Sequence, residues 1–307
     1  MTMPTLLDIA KANGSDAVVG LVEEGARAHP ELLLAPARTI KGLNYKTLVR
    51  TAVPTGGSFR DANEGVAASK STFINRLVEA YIFNRRWECD KAVADSYEDG
   101  AAVYIALEGA AQMEGGMQDL ASQFYYGTGV GGQAKGFPGL LAAYDATNMV
   151  VDAAGTTATT GSSVWAVRFG PKHVTWVWGL NGQMALSDVR EESALDAEDN
   201  KFTAYIQELL ARPGLQVGST YSIARIKKLT ADSGKTLTDA LIAQLLAKFP
   251  VGTRPDVLFM SRRSLYQLQG SREAVNATGA PAPIPMEAFG VPIAPTDAIL
   301  DTEALTL

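Results

Sequence analysis

The sequence predicts an α+β chain, with helices and strands segregated along its length rather than alternating. Three observations carry this. Residues 99–126 form one unbroken pattern of apolar residues at i, i+3 or i+4 spacing. β-prone runs crowd 38–89 and 148–230, and only the last third mixes helix, strand, helix and strand. With 307 residues and 47% apolar composition the chain can bury a sizeable core, in one large or two modest domains. No repeat or flexible linker divides it.

At the N-terminus, residues 5–12 and 15–24 each place apolar positions at helical spacing around Asn13-Gly14, with Ser15 or Asp16 able to cap the second segment. Helices this short are marginal alone, so the arm needs a surface to lie on. From Arg38 to Val53 the chain becomes β-prone (Tyr45, Thr47, Leu48, Val49, Thr51) until Pro54. Residues 55–71 are rich in Gly, Ser and charge and read as a long polar tip, after which Thr72 to Cys89 is again β-prone. The two runs predict an extended hairpin. A lone two-stranded ribbon is marginally stable at best, so this one needs a neighbour.

Asp99 is positioned to cap a helix running to about Tyr126, with Val103, Leu107, Ala110, Met113, Met117, Leu120 and Phe124 on one stripe. Gly109, Gly115 and Gly116 each weaken it by about 1 kcal/mol relative to Ala, so packing must hold it. It exits through Gly127-Thr-Gly-Val-Gly-Gly132. Strands are expected at 149–152, 164–169, 173–178 and 183–186, the last two as a hairpin around Asn181-Gly182. Residues 187–212 fit either a hairpin turning at Asp196 to Asn200 or a short helix at 203–211, and the hairpin is preferred. In the last third, Thr236 is placed to cap a helix with stripe Leu237, Leu241, Leu245 and Phe249 that Pro250 stops. Asp256 to Met260 reads as a buried strand, and Ser261 caps a second helix to about Gln269. Residues 276–285 form a Pro/Ala loop and Val291 to Ala294 a closing strand.

Charge excludes several functions. The net charge is −6, which disfavours a nucleic-acid binder driven by phosphate neutralisation. The acidity is concentrated in residues 101–200, with 4 basic and 11 acidic groups. Cys89 is the only cysteine, which rules out an intrachain disulfide and suits a reducing compartment. No apolar stretch reaches the ~18 residues of a membrane helix, and the N-terminus lacks the basic region of a signal peptide. Charged residues make up only 20% of the chain, as expected of surface hidden against partners.

Motifs with chemical meaning are broken or bland. Gly127 to Gly132 matches GxGxxG, but a dinucleotide site needs a strand before and a helix after, and here a helix precedes and Phe137-Pro138 follows. Gly234-Lys235-Thr236 resembles the end of a phosphate loop, yet its required first glycine is Leu229. His29 and His173 are the only histidines and lie far apart in sequence. Cys89 sits between Glu88 and Asp90, which disfavour a thiolate. Glu23-Glu24 and Glu191-Glu192 read as solvated pairs, and the basic pairs Arg85-Arg86, Lys227-Lys228 and Arg262-Arg263 are equally bland taken singly. No catalytic, cofactor-binding or metal-ligating residue is assigned.

The order of elements, together with several segments, resembles the major capsid proteins of tailed bacteriophages, the Hong Kong ninety-seven type of shell fold. The segments are Thr-Leu-Leu-Asp-Ile-Ala-Lys at 5–11, Arg-Thr-Ile-Lys-Gly-Leu-Asn-Tyr at 38–45, Asn-Glu-Gly-Val at 63–66 and Lys-Gly-Phe-Pro-Gly-Leu at 135–140. Gly-Ser-Ser-Val-Trp-Ala-Val-Arg-Phe-Gly at 161–170, Arg-Ile-Lys-Lys-Leu at 225–229 and Gly-Val-Pro-Ile-Ala-Pro-Thr-Asp-Ala-Ile-Leu at 290–300 extend it over nearly the whole chain. The resemblance implies an N-terminal arm (1–37), an extended loop across a neighbouring subunit (38–90), a peripheral domain with a spine helix (91–147), an axial domain with an inserted β element (148–285) and a C-terminal return to the periphery (286–307). It implies a structural protein, not an enzyme, that needs no cofactor. Its copies would form hexamers and pentamers in the icosahedral head of a virion made in the host bacterial cytoplasm. Scaffolding, portal and decoration proteins would be its partners, and it would enclose double-stranded DNA without sequence-specific binding and without a membrane. Arg50, Arg60, Glu64, Lys70, Arg76, Arg85 and Arg86 are the expected intersubunit contacts. Some relatives join a loop Lys to a neighbour's Asn; Lys70 is a candidate, but no motif marks its Asn or a catalytic Glu, and cross-linking is not expected. An encapsulin-like compartment shares the fold and is the alternative; a soluble metabolic enzyme is the alternative of a different class.

Overall fold

A computed structural model describes residues 3–13, 27–129, 131–182, 184–196, 198–275 and 282–306. The helix expected at 15–24 with its Ser15 or Asp16 cap, the Glu23-Glu24 pair and most of the Pro/Ala loop lie outside the described residues. In chain order the elements are α1 (Leu6–Ala12), α2 (Pro30–Leu34), β1 (Ala37–Thr39), β2 (Asn44–Ala52), β3 (Thr72–Glu79), β4 (Phe83–Asp90), α3 (Lys91–Ala94), α4 (Ala101–Tyr126) and α5 (Leu140–Ala143). There follow β5 (Val150–Asp152), β6 (Ser162–Val167), β7 (Val174–Trp178), β8 (Ala185–Leu186), β9 (Arg190–Leu195), β10 (Lys201–Ala211), β11 (Pro213–Val217) and β12 (Ile223–Leu229). The chain ends with α6 (Asp239–Leu246), β13 (Val257–Met260), α7 (Arg262–Val275), β14 (Glu287–Ala288) and β15 (Val291–Pro295).

The centre is a six-stranded sheet in the order β14-β15-β13-β6-β12-β5. Every residue of β6 is buried, because both faces of that strand are covered. Its alternation divides the core in two. Trp165 and Val167 join Phe124, Tyr125, Ile223 and Phe259 under the C-terminal half of α4. Val164 and Ala166 join Ala224, Ile226, Leu258, Met260 and residues of α6 and α7 on the other face. A second sheet joins β4 to β10, with β8 and β9 along the far edge of β10. A third is the order β1-β7-β11, and among the described residues β2 pairs only with β3.

The arm helix α1 opens with Asp8, whose carboxylate accepts from the Thr5 backbone N–H at 2.9 Å and hydroxyl at 2.7 Å. It docks by Ile9 into a cluster with Trp87, Cys89, Tyr104 and Ile105, which supplies the surface so short a helix requires.

Several expectations are corrected. The second run of the hairpin is two strands: β3 pairs with β2, but β4 leaves the ribbon and pairs antiparallel with β10 from Phe83↔Ala211 to Asp90↔Ala204. Asp99 does not cap α4. Gly100 does, at φ 90°, a left-handed backbone that disfavours a side chain. No hairpin forms around Asn181-Gly182, since both edges of β7 are already taken by β1 and β11 and the turn packs against Thr39. The cap of α6 is Thr238 rather than Thr236, with its hydroxyl accepting from Leu241 N–H. Leu237 has by then entered the core, and its N–H donates to Gln267. Along α6, Ile242 rather than Leu241 completes the buried stripe. The helix capped by Ser261 runs to Val275, six residues beyond Gln269. Residues 187–212 adopt the preferred hairpin, β9 on β10.

The C-terminal segment is welded in place by a buried ion pair. Arg225 on β12 meets Glu303 at 3.0 Å, both side chains almost fully enclosed, and its Nε donates to Ser163 Oγ at 2.9 Å. Glu303 also accepts from Tyr126 at the end of α4 at 2.6 Å and from Ser163. Removing one partner strands the other as a buried charge. Arg225→Met should therefore cost about 3–5 kcal/mol, measured by urea unfolding of the soluble subunit. Adding Glu303→Leu should recover most of that loss.

Candidate functional site

Side chains along the β2/β3 ribbon fall on two faces set by its register. Tyr45, Thr47 and Val49 share one face with Val78, Arg76 and Ile74; Lys46, Leu48 and Arg50 share the other with Leu77, Asn75 and Phe73. The base of the first face is fixed to the body. Val78 is buried, Tyr45 hydrogen-bonds Gln216 on β11, and Arg76 donates to the carbonyl of Val217 at 3.2 Å.

No element among the described residues packs over the second face. Leu48 is 69%, Leu77 52% and Phe73 47% exposed. The tip between the strands adds Val53, Phe59 and Val66, all open to solvent. Exposed large apolar side chains, interleaved with Lys46, Arg50 and Asn75, mark a surface that binds something.

The residues expected to make contacts divide into two groups. Arg50 lies over the Phe73 ring at 5.2 Å, on the open face. Arg60 and Glu64 sit at the tip, where Arg60 donates to the Glu64 carbonyl at 2.6 Å and the Glu64 carboxylate accepts from the Asp61 N–H at 3.2 Å. Lys70 is exposed, with no ion pair among the described residues. Arg76, Arg85 and Arg86 are instead engaged within the chain. Arg85 on β4 reaches across to α4, bonding Gln112 and Asp119 at 2.8 Å each. Gly115 makes room for it, since a Cβ there would stand 2.7 Å from the guanidinium, so the glycine in mid-helix serves this packing. Arg86 pairs with Glu88 and, across the sheet, with Glu208 at 3.7 Å.

The remaining polar groups are dispersed. His29 meets Glu114 on α4, and His173 meets Ser222 at 2.8 Å in another part of the molecule. The glycine run after α4 is a tight turn against 136–139: Gly127 has φ 56°, and a Cβ on it would collide with the Gly139 nitrogen. What the sequence reading missed is the open apolar face itself. The alternation of Leu48, Arg50, Phe73 and Leu77 was available to find it.

Cys89 is fully buried in the cluster that seats α1, and burial, with Asp90 nearby, pushes its thiol up to about 11. The protonated thiol is a poor nucleophile, so iodoacetamide at pH 8 should leave the folded chain unlabelled and modify it within minutes in 6 M guanidinium. Rapid labelling of the folded chain, read by intact mass, would contradict this burial.

The family described as major capsid protein GP7 matches residues 37–306. No curated protein matches the chain in sequence. Among solved structures, the chain is similar to that of bacteriophage Epsilon15, with a TM-score of 0.73 at 20% identity over 99% of this chain and 98% of that one. It is more distantly similar to the capsid of Myoviridae phage XM1, with a TM-score of 0.48 at 11% identity over 71% and 98% of the two chains.

Proposed function

This chain belongs to the major capsid protein GP7 family and forms the head shell of a phage; from that premise we propose how its parts divide the work of assembly. The observation that carries the proposal is the uncovered apolar face of the β2/β3 ribbon. A two-stranded ribbon with one face in solvent gains stability when that face lies on an adjacent subunit, and repetition around a closed ring covers every copy. Residues 1–37 act as the N-terminal arm, 38–90 as the extended loop, 91–147 as the peripheral domain with α4 its spine, and 148–285 as the axial domain. Within that last range, β8 to β10 are the inserted element, supported by their pairing with β4. Residues 286–307 return to the periphery, in keeping with the Glu303 contact to the end of α4.

Arg50, Arg60, Glu64 and Lys70 are the charges that set the register of the loop on its neighbour. Arg76, Arg85 and Arg86 hold its root and contribute to subunit contacts through that anchoring. The subunits assemble as hexamers and pentamers around double-stranded DNA. The negative net charge keeps packaged DNA from adhering to the wall. A scaffolding protein, a portal and a decoration protein are the further partners of this reading.

Expression of the full chain should give particles of megadalton size by electron microscopy and size exclusion. Arg60→Glu and Glu64→Lys should each leave soluble subunits that fail to close. Leu77→Asp, on the open face, should fold with unchanged circular dichroism and likewise fail to assemble. Normal particles from all three variants would overturn the assignment of this face.

A further inference from the structure

The last stretch of the arm, residues 27–36, lies across α4 and the C-terminal segment through a chain of polar contacts. The Arg27 N–H donates to the Glu114 carboxylate at 3.0 Å, and the Ala28 N–H donates to Asp297 at 3.1 Å. Trp176 donates its indole N–H to the Glu31 carbonyl at 3.2 Å and its backbone N–H to the Pro36 carbonyl at 2.8 Å. At the middle of this strap stand His29 and Glu31. The side chain of Glu31 is wholly buried and that of His29 is 10% exposed.

Their hydrogen bonding is incomplete in one specific way. His29 Nε2 faces Glu114 Oε1 at 3.3 Å, and that carboxylate is held below the usual range by Gln118, the Arg27 N–H and His29 itself, so Nε2 is the donor. Glu31 Oε2 accepts from the Tyr125 hydroxyl at 3.3 Å. The two atoms left over, His29 Nδ1 and Glu31 Oε1, are both buried without a hydrogen-bond partner and face each other at 4.0 Å. At that distance they do not hydrogen-bond each other, so an ionised Glu31 would leave Oε1 a buried charge with no donor, whereas the protonated carboxyl carries none.

We propose that residues 27–36 form a pH-sensitive strap, locked on α4 while the buried Glu31 carboxyl keeps its proton and loosened when that proton leaves. Burial among Tyr125, Trp176 and neighbouring apolar side chains raises the Glu31 carboxyl above its ordinary range, which agrees with a protonated Glu31. The charged and titratable groups around it are few. Arg27 on the strap is exposed, Glu114 and Tyr125 come from α4, and Asp297 from the C-terminal segment is itself paired with Arg262 at 2.9 Å. None places a cation against Glu31 once its carboxyl has lost its proton. The sign follows: a group raised in the folded state lends its full stability below its unfolded value and loses it as pH rises through the folded one.

Hydrogen exchange of the full-length chain, followed by mass spectrometry from pH 5.5 to 8 and corrected for intrinsic exchange, tests this. The peptide covering 27–36 should accelerate at least tenfold across that range in the wild type, while the peptide covering β6 stays constant. Glu31→Gln, whose uncharged amide cannot lose a proton, should hold the strap slow at every pH. A flat wild-type profile, an acceleration shared equally by β6, or an equal acceleration in Glu31→Gln would each overturn the proposal. The wild-type comparison of the two peptides remains decisive even if Glu31→Gln does not fold.

Discussion

The constraint on which the structure depends is that a two-stranded ribbon has two faces and the chain supplies cover for one. Val78, Tyr45 and Arg76 use β11 and the loop after it to fix the inner face at its base. Leu48, Phe73 and Leu77 are left on the outer face, each worth about 1–2 kcal/mol if its remaining exposed surface is covered. Within one chain that energy is unavailable. Within a shell of identical chains it is available at every contact, so the instability of the isolated ribbon favours closure of the shell.

A ribbon that docks on a neighbour must be held rigidly at its root, and much of the rest of the subunit serves that end. Strand β4 continues directly from the ribbon and is clamped along its length by β10, while Arg85 ties it sideways to α4 through the space left by Gly115. The far end of α4 is fixed in turn by the Arg225, Glu303, Ser163 and Tyr126 network, so that the helix links the ribbon root to the six-stranded sheet. Residues 27–36 cross the same helix through His29 and Glu114, which makes α4 the common support of strap, ribbon and C-terminal segment.

Local patterning made much of this legible. Helical spacing and the glycine run after it placed the end of α4 at Tyr126, although Val103 and Ala110 of the expected stripe are exposed and Tyr104, Ile105 and Gly109 are buried instead, and the apolar run at 257–260 placed β13. Failures occurred where tertiary contacts decide. Nothing in residues 72–90 shows that the chain changes partners near Tyr81, because β3 and β4 have the same propensity and differ only in which strand lies beside them. Asn181-Gly182 has the composition of a hairpin turn but joins strands whose edges are occupied elsewhere. The glycines of α4 look destabilising in sequence, and Gly115 is explained only when Arg85 is seen lying against it. Of the charges expected at the assembly surface, sequence alone could not separate Arg50, Arg60, Glu64 and Lys70, on the ribbon and its tip, from Arg85 and Arg86, which β10 and α4 engage.

The most direct measurement is a cryo-electron microscopy reconstruction of the assembled shell at side-chain resolution. Leu48, Phe73 and Leu77 of each subunit should be covered by an adjacent copy, with Arg50 within ion-pair distance of a carboxylate of that copy. A closed shell in which that face remains open to solvent, with subunits held by other surfaces, would contradict this role for the ribbon.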